Sequence, residues 1–164
     1  MIRIKNVLVA TDFSEQSKSA LEYGRELART YDATLHVVHV VEDIVARYST
    51  DISATMLVGA LESLEASASS ELDALVTDDD RRTLRAHTVV FTSVAPAETI
   101  VAYAKTQAVD VIVIGTHGRS GLAHLFMGSV AERVVRFAPC PVLTVHHPEH
   151  EFIAPDAMAV VSKV

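Results

Sequence analysis

Gly115, Gly118 and Gly121 follow directly on the apolar run Val109-Asp110-Val111-Ile112-Val113-Ile114, and ten residues after Gly118 a Gly128-Ser129 pair opens a helical pattern. Glycines after a strand let the main chain approach a ligand closely, and a helix start offers unpaired N–H groups to an anion. The chemistry this suggests is phosphate binding, which points to a nucleotide. The spacing Gly115-x2-Gly118-x9-Gly128-Ser129 is not the dinucleotide fingerprint G-x-G-x-x-G. It is not a Walker loop either, because no Lys-Ser or Lys-Thr follows a glycine there. An ordinary glycine-rich turn between a strand and a helix would show the same glycines.

The elements that must position this segment alternate. Lys5 to Ala10 is a short buried-strand run ending in Thr11-Asp12-Phe13-Ser14, where Asp12 with Glu15, or Ser14 alone, can cap the next helix. Ala20, Leu21, Tyr23, Gly24, Leu27 and Ala28 recur at helical spacing, and Ala33 to Val41 is rich in β-branched residues, a second strand. A loop then leads to one long helix over residues 51–77, carried by Met56, Leu57, Ala60, Leu61, Leu64, Ala68, Leu72 and Leu75. Asp78-Asp79-Asp80-Arg81-Arg82 reads as a solvated turn. His87 to Val94 is a third strand, Pro96 starts a helix, Val109 to Ile114 is a fourth strand, and a helix from Gly128-Ser129 ends before Pro139. Pro141 to His146 is the fifth strand.

This alternation predicts a single α/β domain, a doubly wound five-stranded parallel sheet sandwich of the Rossmann-like kind. Ligands of such sheets sit beyond the carboxyl ends of the strands, where the strand order reverses. The loops at Ala10–Ser14 and from Gly115 onward both fall on that rim. The domain is expected over residues 1–147, with residues 148–164 a tail of unassigned role.

Composition narrows the function classes. The 164 residues carry 14 Lys+Arg against 21 Asp+Glu, a formal charge of −7, which argues against nucleic acid as a partner. Apolar residues make up 49% of the chain, enough for an ordered core. The one cysteine, Cys140, excludes an internal disulfide and suits a reducing compartment. Met1-Ile2-Arg3-Ile4-Lys5 has no signal-peptide layout, and no apolar run reaches the length of a membrane span. A cytoplasmic protein with no membrane partner is expected.

The glycine segment, with Asn6-Val-Leu-Val-Ala-Thr-Asp-Phe-Ser, Leu35-His-Val-Val-His-Val and Ala138-Pro-Cys-Pro-Val-Leu-Thr-Val, resembles the universal stress protein family, and specifically its ATP-binding branch. The resemblance runs over residues 1 to about 146. It implies the fold of the adenine nucleotide alpha hydrolase-like group and a site for ATP (or AMP or ADP), with Mg2+ able to arrive on the phosphates. In that reading Ala10, Thr11 and Asp12 hold the adenosine, the Asp12 carboxylate accepts from the ribose hydroxyls, and the main chain at Val40 reads the adenine edge. Gly115, Thr116, Gly118, Gly128, Ser129 and Val130 surround the phosphates, with His117 and Arg119 as side-chain partners. The resemblance further implies a homodimer through the edge strand Val142–Val145, acting as a stress-response or signalling module.

Other constellations give less. His36 and His39 stand three apart in a strand and must point to opposite faces, so they cannot share a metal. His146, His147 and His150 crowd together, but a metal site needs a partner carboxylate and fixed geometry, and none is assigned. Cys140 has no nearby base and reads as a packed thiol. No Gly-x-Ser-x-Gly elbow is present and no catalytic residue is assigned. The competing functions are an adenine-nucleotide enzyme with at most weak ATP hydrolysis, and an interaction module that binds no nucleotide. The first lacks a catalytic His or Lys in the Thr11–Ser14 loop, and the intact glycine pattern disfavours the second.

Overall fold

The computed structural model describes residues 1–48, 54–116 and 128–146. Five apolar runs form the strands β1 (Asn6–Ala10), β2 (Thr34–Glu42), β3 (His87–Ser93), β4 (Val111–Gly115) and β5 (Val142–Val145). They pair in the order β3-β2-β1-β4-β5, every neighbouring pair parallel. The helices between them are α1 (Glu15–Tyr31), α2 (Ile44–Tyr48), α3 (Ala54–Leu75), α4 (Asp78–Thr83), α5 (Pro96–Thr106) and α6 (Ser129–Phe137). This is the doubly wound parallel sheet expected from the alternation.

The central strands are apolar on both faces because both faces are covered. Val7 and Val9 of β1 face one core with Ala20, Leu21 and Ala28 of α1 and Leu72 of α3. Leu8 and Ala10 face the other, with Ala97, Ile100 and Ala104 of α5 and Ala131 and Val134 of α6. The sheet order reverses direction between β1 and β4, which stay paired to Ala10 and Ile114, so the chain leaves those two strands toward opposite faces of the sheet.

Helix α1 starts with Ser14 as its N-cap, whose Oγ accepts from Ser17 N at 3.4 Å. Of the two caps the residues allowed, the structure uses Ser14. The helix stops where Asp32 turns left-handed, at φ 51°. Along its inner face Gly24 lets α1 sit close on β1: a Cβ there would lie 2.3 Å from Val9 Cγ2.

Two segments differ from the sequence reading. The stretch read as a loop before the long helix contains α2, started by Asp43 Oδ1 accepting from Ala46 N at 2.8 Å. The charged run read as a solvated turn is helix α4. Thr77 caps it, with Thr77 Oγ1 accepting from Asp80 N at 3.1 Å and Asp80 Oδ2 accepting from Thr77 N at 3.0 Å, a reciprocal capping box.

Asp80 is 2% exposed. It faces Arg25 of α1, whose Nη2 donates to Asp80 Oδ2 at 2.8 Å and to the Leu75 carbonyl at 2.9 Å. Burial alone would raise the Asp80 carboxyl, but the hydrogen bonds from Arg25 and Thr77 outweigh it and hold the group below its ordinary value of 3.8. The pair ties α1 to α4, the helix that leads into β3, with Glu22 as a second, exposed partner of Arg25.

A carboxyl whose pKa is lower in the folded state stabilises the fold above its unfolded value, and that stability is lost as pH falls through the folded value. We therefore expect the urea midpoint of the protein to fall on acidification below about pH 4, and to fall less in Asp80→Asn. At neutral pH Asp80→Asn should cost about 3 kcal/mol, the lower end for breaking a buried pair, because Arg25 keeps Glu22. A neutral-pH change within error of zero would refute the structural role of the pair. Gly24→Ala should destabilise by about 1 kcal/mol, since overpacking exceeds the gain in helix propensity. The sign should reverse when Val9→Ala makes room. A stabilising Gly24→Ala in the otherwise native chain would contradict the close contact of α1 with β1.

Candidate functional site

Beyond the carboxyl ends of β1 and β4 the structure opens a cavity of about 460 Å3. Every nominated residue within the described part of the chain lines it. Ala10, Thr11 and Asp12 come from the end of β1, Val40 from β2, Gly115 and Thr116 from the end of β4, and Gly128, Ser129 and Val130 from the start of α6. His117, Gly118 and Arg119 lie outside the described residues, as do His147 and the 148–164 tail.

The β1 side is a tightly bonded turn. Thr11 N donates to the Val38 carbonyl at 2.9 Å, extending the sheet one bond past Ala10. Thr11 Oγ1 accepts from Phe13 N at 3.1 Å and donates to Ser17 Oγ at 3.0 Å. Asp12 Oδ1 accepts from Ser14 N at 3.1 Å and from Ser14 Oγ at 2.5 Å. Asp12 thus braces the residue that caps α1 while its side chain lines the cavity. Phe13 has φ 67°, the left-handed region that bulky residues rarely adopt.

The β4 side is held from two directions. Thr116 N donates to the Val145 carbonyl at 2.8 Å, and Gly128 N donates to the Thr116 carbonyl at 2.6 Å. Thr116 Oγ1 and His146 Nδ1 lie 3.1 Å apart. The end of β4, the end of β5 and the start of α6 therefore meet at Thr116.

Gly115 has a structural reason that its sequence context did not suggest. A Cβ there would lie 3.1 Å from Gln16 C and Cβ and 3.2 Å from Gln16 O. Its bare side faces the first turn of α1, so this glycine lets β4 and α1 pack together. Gly128 is the N-cap of α6 at φ −66°, ψ 149°, with no side-chain cap bond. That backbone is open to any residue, so glycine is not required there by conformation. Gly128 gives α6 no side-chain cap, and Ser129 and Val130, whose N–H groups open the helix, border the cavity.

Sequence reasoning missed several lining residues. His39 and Glu42 lie further along β2, and Pro96 and Ile100 of α5 add apolar wall beneath them. The rule that all strand-to-helix loops emerge on one rim would have found the start of α5, since it follows β3. His39 stands beside Val40 in β2, and in the sequence its spacing from His36 speaks only to metal binding. As the two-residue period requires, His36 and His39 point to opposite faces. His36 Nδ1 meets Tyr103 Oη of α5 at 2.9 Å, whereas His39 Nδ1 meets the Thr11 carbonyl at 2.8 Å. Burial, and then the charge of His87, lower the pKa of His36, which leaves it neutral at pH 7. Burial, and then Asp110, raise the thiol of Cys140 above its ordinary value, which makes it a poor nucleophile.

The electrostatics of the cavity are uneven. Its described lining carries the carboxylates of Asp12 and Glu42 and no Lys or Arg. Its positive end is the N-terminus of α6, where the helix dipole and the N–H groups of the first turn favour an anion. Hydroxyl-bearing groups suit the Asp12 side and an anionic group suits the α6 side.

Known proteins resemble this chain in sequence and fold. The sequence model of the universal stress protein family matches residues 3–146. Universal stress protein MJ0531 of Methanocaldococcus jannaschii is 31% identical over 152 residues, covering 90% of this chain and 85% of its own length. The universal stress protein UspA of Lactobacillus plantarum has a solved structure that superposes with a TM-score of 0.73 at 25% identity, covering 88% of this chain and 99% of that one. The universal stress protein of Archaeoglobus fulgidus, solved in complex with dAMP, shares the fold at a TM-score of 0.59 and 23% identity, covering 88% of this chain and 99% of that one. With the family's model spanning the whole sheet and its flanking helices, and with relatives at this identity over nearly their full length, the chain belongs to the universal stress protein family.

Proposed function

We propose that the protein binds an adenine nucleotide, ATP or its di- or monophosphate, in the cavity between β1 and β4, and that occupancy of this site is the quantity it reports to the cell. The observation that carries the reading is convergence. The segments around Thr11, Val40, Gly115 and Gly128 are far apart in sequence, and all four border one cavity. A related fold holding dAMP supports the choice of adenine nucleotide.

The chemistry of the lining suits this ligand from end to end. Asp12 accepts from ribose hydroxyls, and the main chain at Val40 reads the adenine edge. The N–H groups of Ser129 and Val130 receive phosphate oxygens at the start of α6. Gly128 keeps a side chain out of the phosphate path. The described lining has no cationic side chain to meet a triphosphate, so the charge falls to His117 and Arg119 and to a Mg2+ ion carried on the phosphates. Ligand binding that favours one conformation or one partner surface is sufficient for a signalling role, with no catalytic step.

We further propose a homodimer through β5. This strand is paired with β4 on one edge and is the last in the sheet, and Leu143 at its centre is exposed. A short apolar edge of this kind is a template for a second copy.

Equilibrium dialysis with labelled ATP and AMP in the presence of Mg2+ tests the site. Wild type should bind, Asp12→Ala should bind about ten- to a hundredfold more weakly, as for the loss of hydrogen bonds to a charged group, and Gly128→Val should abolish binding. Equal binding by wild type and Gly128→Val would refute the phosphate assignment. Light scattering at micromolar concentration should give twice the chain mass, falling to one chain for Leu143→Glu. A single-chain mass for wild type would refute the dimer.

A further inference from the structure

A side chain of the neighbouring strand holds the turn after β1. β1 ends at Ala10, and Thr11 N still makes a sheet bond to Val38. The Thr11 carbonyl is taken by His39, whose Nδ1 lies 2.8 Å away. A carbonyl oxygen only accepts, so His39 carries a proton on Nδ1. The same imidazole packs on Phe13, with ring centroids 4.4 Å apart and planes inclined by 37°. Phe13 is the residue held at φ 67°, a conformation that persists only when its surroundings enforce it. The first and third residues of the turn therefore rest on one ring, and Asp12 lies between them.

We propose that His39 is a positioning residue: by donating from Nδ1 to the Thr11 carbonyl and packing on Phe13, it holds the β1–α1 turn, and with it Asp12, in its ligand-ready shape before any ligand arrives. The bonds from Thr11 to Ser17 and from Asp12 to Ser14 close the turn on itself and on α1. The His39 contact sets the turn relative to β2, the strand that carries Val40. A turn already held in place spares the ligand the cost of ordering it, which shows as affinity. The inference rests on the nucleotide reading only for the ligand used in its test.

The test uses the full chain with His39→Leu, which keeps bulk without a donor, and His39→Asn, which places an amide N–H near the position of Nδ1. Two quantities are read: hydrogen exchange at the Phe13 and Ser14 amides without ligand, and affinity for ATP and AMP with Mg2+. Loss of this partly buried hydrogen bond should speed exchange in His39→Leu about tenfold and weaken binding about ten- to a hundredfold, and His39→Asn should stay within about threefold of wild type. Wild-type exchange and affinity in His39→Leu would overturn the proposal, as would a folded His39→Asn that behaves like His39→Leu. If wild type binds no nucleotide but exchange still rises in His39→Leu and recovers in His39→Asn, the positioning role stands and the nucleotide reading falls. Should His39→Leu fail to fold, nitrogen NMR of the wild-type imidazole decides. A protonated Nδ1 supports the proposal, and an unprotonated Nδ1 overturns it.

Discussion

β1 is hydrogen-bonded on both edges, to β2 on one side and β4 on the other, and the chain leaves β1 and β4 toward opposite faces of the sheet. That geometry leaves a gap beyond their carboxyl ends that no side chain of either strand can fill. The cavity follows from the topology, and so does the identity of its walls. β1 supplies the Thr11 turn, β4 supplies Gly115 and Thr116, and the helices that start there aim their N-termini at the gap. The chemistry of the site is laid over a constraint that the sheet imposes on any sequence folded this way.

Close packing sharpens the gap. Gly24 brings α1 onto Val9, and Gly115 brings the end of β4 against Gln16. Both glycines draw the first helix toward the two strands whose ends form the site. The turn between β1 and α1 then has little room, and it is closed by short polar bonds and by Phe13 in a left-handed conformation. On the far side Arg25 and Asp80 anchor the same helix to α4, just before β3. The helix that frames the site is thus held at both ends, by packing near Gly115 and by charge near Asp80.

Much of this was legible in the residues. The alternation of short apolar runs with helical spacing carried the sheet, because burial on two faces leaves a β-branched run and burial on one face leaves a stripe. The Ser14 cap, the Pro96 helix start and the Gly128-Ser129 helix start are local signals, and each appears where it was read. Where the reading went astray, a remote partner was involved. Asp80 sat in a run of charges that looks solvated, and Arg25, 55 residues away, is what draws it inside. Gly115 borders the cavity, and a remote partner adds a second reason for a glycine there, the close approach of Gln16.

His39 shows the same division within the site. Its place in a strand, and therefore the face opposite to His36, follow from a period of two residues. Its hold on Thr11 and Phe13 does not, because it depends on how far β1 runs before the chain turns away. By itself the sequence determined the order of the five strands, the rim on which the distinctive loops fall and the family to which the chain belongs, since these are written in local patterns of burial, capping and motif. Only the tertiary structure decided which charge is buried, what each glycine makes room for, and which side chain braces the turn beside the cavity. Those are contacts between segments distant in the chain, set by crossover and packing, and no local pattern encodes the partner.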